Sequence, residues 1–133
     1  MSDNEEAPVV QTVAVDDSIL LSMKKMLMVA DDDHAFDTDL KIHINSVFFA
    51  LYQLGVGPDT PFSIDDENDT WDEFMTRLDI EAVKSYMFLR LRLLFDPPAT
   101  ATMYDAIDKQ TKEFEWRLNS AVDYDEAEVT PDE

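Results

Sequence analysis

The sequence predicts an all-α fold: an antiparallel bundle of about four main helices plus a short helix, with extended acidic N- and C-terminal tails. Apolar residues recur at helical spacing in four segments. Capping residues stand where these segments begin, and glycine or proline ends several of them. The 133 residues are about the usual size of one domain and leave no room for a second.

The first two predicted helices lie between Ser18 and Gly55. Ser18 is the predicted N-cap of the first helix, whose apolar residues share one face, while Lys24 and Lys25 point elsewhere. Asp37 is the predicted N-cap of the second helix, and Gly55 supplies the left-handed residue that ends it. The inward stripe of this second helix comprises Leu40, Ile44, Val47, Phe48, Leu51 and Leu54.

A long loop and a short helix follow at residues 57–78. We expect Phe62 and Ile64 to pin the loop at 57–69 to the body of the domain. The next residues, TWDE at 70–73, form the sequence pattern of a capping box, which predicts a short helix of one or two turns.

The segment IEAVKSYMFLRLRLLF at 80–95 predicts the central, largely buried helix. Within it, LRLRL alternates as a strand would. The length of the segment, the predicted cap Asp79 and the stop DPP at 96–98 favour a helix instead.

The last predicted helix begins near Thr100 or Thr102. Its inward residues are Met103, Ile107, Phe114, Leu118 and Val122. Three acid-before-base pairs at four-residue spacing support its outer face: Asp105 with Lys109, Asp108 with Lys112, and Glu113 with Arg117.

The net charge of −20 is concentrated at the ends of the chain. Residues 1–17 hold five acids and residues 123–133 hold six, and neither segment contains a Lys or an Arg. We therefore divide the chain into an acidic N-terminal arm (1–17), a helical domain (18–122) and an acidic C-terminal tail (123–133), with both tails disordered in the isolated chain. The domain keeps nineteen acids and ten bases, the wrong balance for tight binding to nucleic acid or anionic lipid.

Composition excludes several further classes of protein. Without cysteine the chain has no disulfide, thiolate metal site or cysteine nucleophile. It also lacks the roughly 20 consecutive apolar residues of a membrane span. Its first residues, MSDNEEAPVV, are acidic where a signal peptide is basic. We expect a soluble protein that is made in the cytoplasm.

Acidic residues in the loop before the short helix raise the question of a calcium site. Asp65, Glu67 and Asp69 alternate as the first ligands of an EF-hand loop do. However, Thr70 stands where that loop needs glycine, and Thr76 stands where it needs a bidentate glutamate. We interpret the segment as a solvated loop followed by a helix cap, and we predict no metal site.

The two histidines give little support to an enzyme. His34 lies in an acidic loop and His43 on the second helix, and neither has a second histidine at metal spacing. A histidine–aspartate acid–base pair is an open alternative, but no phosphate loop or nucleophile elbow gives it a substrate. We predict a protein without catalytic activity or cofactor.

Four apolar or aromatic positions are candidates for an interface. Ile42, Phe49 and Tyr52 lie on a different side of the second helix from its inward stripe, and one core rarely needs both sides of a helix. Trp116 lies on the polar side of the last helix, where a large aromatic is either an interface anchor or an exposed residue of a monomer. Physical chemistry alone favours self-association or docking.

Three cations on the central helix are further interface candidates. Lys84, Arg90 and Arg92 must each find a carboxylate or a carbonyl, and Asp96 lies four residues after Arg92. Because positions 90 and 92 are about 200° apart around a helix, the two arginines serve different sites. Either these side chains extend to solvent at the bundle surface, or at least one meets a neighbouring chain.

Four ordered blocks carry a resemblance to a known family. They are HINSVFFALYQLGVGP at 43–58, TWDEF at 70–74, EAVKSYMFLRLRLLFDPP at 81–98 and KEFEWRL at 112–118. They resemble the head-to-tail connector, or adaptor, proteins of long-tailed bacteriophages. The resemblance covers most of residues 18–122.

The resemblance implies a small helical protein without an active site. Such a protein assembles as a ring, usually of twelve copies, between the portal of the DNA-filled head and the stopper or tail. It implies the portal and a stopper or tail-completion protein as partners, a location in the virion neck, and DNA that passes through without specific binding. The alternatives are an acidic regulator or DNA mimic that inhibits a basic partner, and a small hydrolase or metal enzyme.

Overall fold

The computed structural model describes residues 13–76 and 80–129. Over these residues the chain forms five α-helices and no strand, which confirms the predicted all-α class. The helices are α1 (Ile19–Met26), α2 (Asp37–Gln53), α3 (Trp71–Phe74), α4 (Ile80–Phe95) and α5 (Ala101–Val129). Most of the predicted N-terminal arm, the predicted cap Asp79 and the end of the predicted C-terminal tail lie outside the described residues.

The starts of α1 and α3 are capped as predicted. The Ser18 hydroxyl accepts a hydrogen bond from the backbone N–H of Leu21 at 3.1 Å. At α3, Thr70 and Glu73 form both halves of the capping box. An antiparallel bridge between Ser18 and Thr70 joins the two helix starts. Residues far apart in the chain are thereby fixed side by side.

The two ends of α2 differ slightly from prediction. Its N-cap is Phe36, and Asp37 is the first helical residue instead of the cap, with its carboxylate bound to Lys24 of α1 and His34 of the preceding loop. Gly55 follows the helix with a φ of 83°, which confirms the left-handed residue expected there.

Aromatic residues organise the core around the inward stripe of α2. The Phe48 ring is fully buried, and its centroid lies 5.0 Å from that of Phe62 and 4.8 Å from that of Phe74. Ile64 is buried, and the Asn45 side chain accepts from its N–H at 2.7 Å and donates to its C=O at 3.1 Å. These contacts confirm that Phe62 and Ile64 pin the loop to the body.

Helix α4 packs against both α2 and α5 and is the central helix, as predicted. Its buried residues are Val83, Tyr86, Met87, Leu89 and Leu91. On α5, Ile107 and Leu118 are buried as expected. The inward position predicted for Met103 is wrong: this side chain is 52% exposed, because residues 101–106 precede the buried part of the helix.

Helix α5 is longer than the sequence analysis predicts. It continues to Val129, whereas the helical domain was expected to end at residue 122. The segment DYDEAEV at 123–129 contains good helix formers, and the next proline is Pro131. These residues are therefore helical and not extended.

Candidate interaction surfaces

The first candidate surface is the outer α2 face, which we define as Ile42, Ser46, Phe49, Tyr52 and Gln53. All five side chains are exposed, Ile42 by 60% and Phe49 by 48%. The Phe49 and Tyr52 rings lie 6.0 Å apart between centroids and form one aromatic patch. None of the five residues carries a charge. The structure confirms that apolar residues occupy both sides of α2, while their role in an interface stays a prediction.

An acidic loop, defined as Asp65, Asp66 and Glu67, runs beside α2. Lys41 of α2 donates a hydrogen bond to the backbone carbonyl of Asp65 at 3.2 Å. The Asp69 carboxylate accepts from the N–H groups of Asp65 and Asp66 at 2.6 and 3.1 Å. The loop is thereby fixed in place, and its three carboxylates are at the surface.

Those hydrogen bonds also bear on the calcium question. Asp69 is occupied by the backbone of its own loop, and Glu73 by the cap of α3. In the part of the chain that the structure describes, no three His, Asp or Glu side chains are grouped to hold a metal ion. The interpretation of this segment as a loop followed by a helix cap is confirmed.

The second candidate surface is the Trp116 face of α5, which we define as Lys109, Lys112, Trp116 and Ser120. These residues follow one another at four- and three-residue steps and so share one side of the helix. Trp116 is 70% exposed, whereas Leu118 on the opposite side is buried. Two of the predicted ion pairs form along α5, Lys112 with Asp108 at 3.0 Å and Arg117 with Glu113 at 2.9 Å.

Arg90 of α4 is committed to a contact inside the chain. It donates to the Tyr86 hydroxyl at 2.7 Å, and the same hydroxyl donates to the Glu115 carboxylate at 2.8 Å. Burial and the bond to Glu115 raise the pKa of Tyr86, so the hydroxyl stays protonated and donates. This network ties α4 to α5, and it gives Arg90 a structural role in the single chain.

Lys84 and Arg92 also have partners inside the chain, and their side chains are about as exposed as that of Arg90. Lys84 lies 3.4 Å from the Glu81 carboxylate and 5.6 Å from the centre of the Trp71 ring. Arg92 donates to the backbone carbonyl of Asp96 at 2.8 Å. The two arginines therefore serve different sites, as predicted, and an interface role for any of the three cations is untested.

Lys24 is the residue that sequence reasoning misplaced. Its side chain is fully buried, and its ammonium donates to the backbone carbonyls of Asp31 and Asp33 at 3.2 and 2.8 Å and to the Asp37 carboxylate at 2.8 Å. The sequence does not predict the burial of Lys24, which arises because the α1–α2 loop and Asp37, the first residue of α2, supply acceptors for all three of its hydrogens. We call the contacts of Lys24 with Asp31, Asp33 and Asp37 the Lys24 clamp. Three aspartates shortly after the lysine are its only sequence signal.

His34 completes the clamp from the solvent side. Its Nδ1 lies 2.8 Å from the second carboxylate oxygen of Asp37, and its ring is largely exposed. Partial burial acts to raise the pKa of Asp37, but the hydrogen bonds from Lys24 and His34 outweigh it and hold this pKa below its ordinary value. The His34–Asp37 pair therefore helps to hold the α1–α2 loop in place.

A comparison with protein families identifies the class of protein. Residues 19–125, about four fifths of the chain, match the family described as phage connector protein. The chain belongs to the phage connector protein family. Neither a curated protein nor a solved structure matches the chain.

The family match confirms the resemblance drawn from the sequence blocks. A phage connector protein is a structural component that associates with head and tail parts and is located in the virion neck. The match begins at the first residue of α1 and includes both candidate surfaces of this connector. Within residues 13–76 and 80–129, no helix combines the length and the apolar run needed to cross a bilayer.

Proposed function

We propose that this connector protein assembles into a closed ring, of twelve copies by resemblance to its family, that joins the portal of the phage head to the stopper or tail and lets DNA pass. The observation that carries the assembly step is the outer α2 face. It leaves Ile42 and Phe49 about half exposed on a chain whose net charge is −20.

The charge of the chain makes this apolar face informative. Copies with so many carboxylates repel one another, so contact between them requires a surface without charge or with compensating charge. The outer α2 face carries no charge, and contiguous exposed apolar patches commonly mark interaction sites. Trp116 is of the residue type most enriched among energetically dominant interface residues.

We assign different interface roles to the three cations of α4. Lys84 and Arg92 lie near the surface with weak or backbone partners, and we propose them as rim contacts to a neighbouring copy or to the portal. Arg90 already serves Tyr86 and Glu115, so a partner would have to share its guanidinium with them.

We further propose that part of the negative charge borders the channel of the ring. Like charges repel, and a wall of carboxylates would keep DNA mobile instead of bound. In a ring whose channel wall has been mapped, acid-to-lysine changes on that wall should slow DNA ejection. Unchanged ejection would contradict this part of the proposal.

Native mass spectrometry and negative-stain electron microscopy test the ring directly. The full chain is measured alone and with its cognate portal, and we expect one closed assembly of fixed copy number that binds the portal. Phe49→Asp, which places a charge on the outer α2 face, should abolish the assembly and leave a folded monomer.

Met28→Asp is the matched control. Met28 is 91% exposed on the α1–α2 loop and has a φ of 67°, a conformation that aspartate tolerates well. This variant should assemble as the wild type does. A wild-type chain that stays monomeric with and without portal would contradict the ring. Salt-sensitive binding to a basic protein would then favour the acidic inhibitor instead.

A further inference from the structure

Two different surfaces of one chain are available for contact between copies. A closed ring of identical chains uses heterologous contacts, in which one patch on each copy meets a different patch on the next. The outer α2 face and the Trp116 face are two such patches, on two different helices. The inference below rests on the proposed ring, and it concerns which surfaces meet in it.

The two faces lie on different helices, and each is opposite the buried side of its helix. Helix α4 contacts both α2 and α5. The inward stripe of α2 is buried on the side opposite Ile42 and Phe49, and Leu118 of α5 is buried on the side opposite Trp116. Each candidate face therefore points away from the core, one from α2 and the other from α5. A head-to-tail contact requires each copy to offer one face to each of two neighbours.

Charge distinguishes the surroundings of the two faces. The acidic loop lies beside the outer α2 face, fixed there by Lys41. By contrast, three of the ten basic residues of the chain lie within residues 109–117, and Lys109 and Lys112 are on the Trp116 face itself. The Glu115 carboxylate in this stretch is turned to Tyr86 and Arg90 of α4. The loop beside the outer α2 face is thus purely acidic, whereas the Trp116 face carries two lysines, of which Lys112 is paired with Asp108.

The residue types of the two faces are also suited to a contact. The outer α2 face offers an aromatic patch with small or uncharged side chains, Ser46 and Gln53, around it. The Trp116 face offers one large, mostly exposed indole. A single aromatic anchor that packs on an apolar patch, with charged groups at the rim, is the usual anatomy of an interface hot spot.

We propose that in the ring Trp116 of one copy packs on the outer α2 face of the next copy, with Lys109 and Lys112 facing the acidic loop. The partner of each face is a second copy of this chain. The contact is head-to-tail, so the free outer α2 face at one end of an incomplete assembly accepts the Trp116 face of the next chain.

Cross-linking tests this contact cleanly because the chain contains no cysteine. Ser46→Cys labels the outer α2 face, and Ser120→Cys labels the Trp116 face one turn after the tryptophan. A short bis-maleimide joins thiols without the strict geometry of a disulfide. The double variant should give a ladder of products that ends at the full ring, and the two single variants should cross-link to each other only when mixed.

Ala30→Cys combined with Ser120→Cys is the control pair. Ala30 is exposed on the α1–α2 loop and belongs to neither face, so this pair should give no ladder. Circular dichroism checks that each variant is folded. Efficient cross-linking of a single variant with itself would show a symmetric contact and overturn the inference.

Tryptophan fluorescence gives a second measurement on the unlabelled chain. Of the two tryptophans, Trp71 is buried and Trp116 is exposed, so quenching by neutral acrylamide reports mainly on Trp116. Quenching should fall when the wild type assembles, and it should stay high in Phe49→Asp.

The outcomes separate this inference from the proposed function. A wild-type chain without any assembly contradicts the ring and with it the contact. Wild-type rings that leave Trp116 open to acrylamide, or a double-cysteine variant that forms rings without a cross-linked ladder, contradict only the contact proposed here.

Discussion

The inner and outer faces of α2 present the same kinds of residue in opposite environments. Phe48 is fully buried in the aromatic cluster, while its neighbour Phe49 is 48% exposed. Burial of the inner face stabilises the fold of the single chain. The outer face adds nothing comparable to that fold, and we propose that its apolar residues serve contact with another chain.

The same contrast occurs on α1 with charged residues. Lys24 is fully buried and has three acceptors, whereas its neighbour Lys25 is exposed and lies 3.3 Å from Asp16. Residue type does not decide the environment in either pair. The angle around the helix and the chain segment that packs there decide it, and adjacent pairs of identical residues therefore make matched experiments.

The largest expected effect comes from truncating the inner phenylalanine. Phe48→Ala should lower the free energy of unfolding by about 3–5 kcal/mol, because it removes a buried ring and leaves a cavity. Phe49→Ala should change it by less than about 0.5 kcal/mol in the monomer, as exposed positions do. Urea unfolding at a concentration where the chain is monomeric measures both. Equal effects would remove the distinction between the two faces.

We expect the second-largest loss of stability from removal of the buried Lys24 ammonium. Lys24→Ala should destabilise the chain by about 3 kcal/mol, because the Asp37 carboxylate and two backbone carbonyls lose their donor. Lys25→Ala should have an effect of less than about 0.5 kcal/mol, since exposed ion pairs contribute little. Thermal unfolding followed by circular dichroism compares the two variants. A Lys24→Ala variant as stable as Lys25→Ala would show that the clamp does not hold the loop.

Two glycines extend the comparison to the loop after α2. A Cβ at Gly57 would lie 2.5 Å from the Phe74 ring, and the φ of this residue is 98°. Gly57→Ala should therefore cost about 2–3 kcal/mol of stability through steric overlap and backbone strain. Gly55 has a φ of 83° but space for a Cβ, so Gly55→Ala should cost only about 1 kcal/mol. Denaturant unfolding ranks them, and the reverse order would contradict the close packing of Phe74.

The smallest expected effect concerns the pH dependence of the clamp. Because the pKa of Asp37 is lowered in the folded chain, its contribution is complete above the unfolded value of 3.8 and is lost as pH falls through the folded value. Asp37→Asn should remove about 1 kcal/mol at neutral pH and less in acid. Unfolding curves from pH 7 to pH 2 measure this. A difference in the free energy of unfolding between wild type and variant that stays constant across that range would contradict the lowered pKa of Asp37.

Much of the fold follows from short stretches of sequence. The caps at Ser18 and Thr70, the inward stripe of α2 and the stop after α4 are local patterns, and the structure has each of them. The errors arose where distant segments decide. Met103 has the spacing of an inward residue, but its part of α5 begins before the buried stretch of that helix.

The candidate surfaces show the same division. Both outer apolar positions, Phe49 and Trp116, could be found from helical spacing alone, because an apolar residue off the inward stripe is visible in the sequence. The acidic loop beside the outer α2 face could not be found, since Lys41 and Asn45 bring it to α2 across about twenty residues of chain.

The sequence by itself determined where helices begin, which side of each is apolar and which family the chain resembles. These properties depend on capping hydrogen bonds and periodicity within a few residues. Only the tertiary structure decided that Lys24 is buried, that α4 packs against both α2 and α5, and that the acidic loop lies beside α2. Those features depend on which remote backbone and side-chain groups approach each helix. Helical periodicity does not indicate which groups these are.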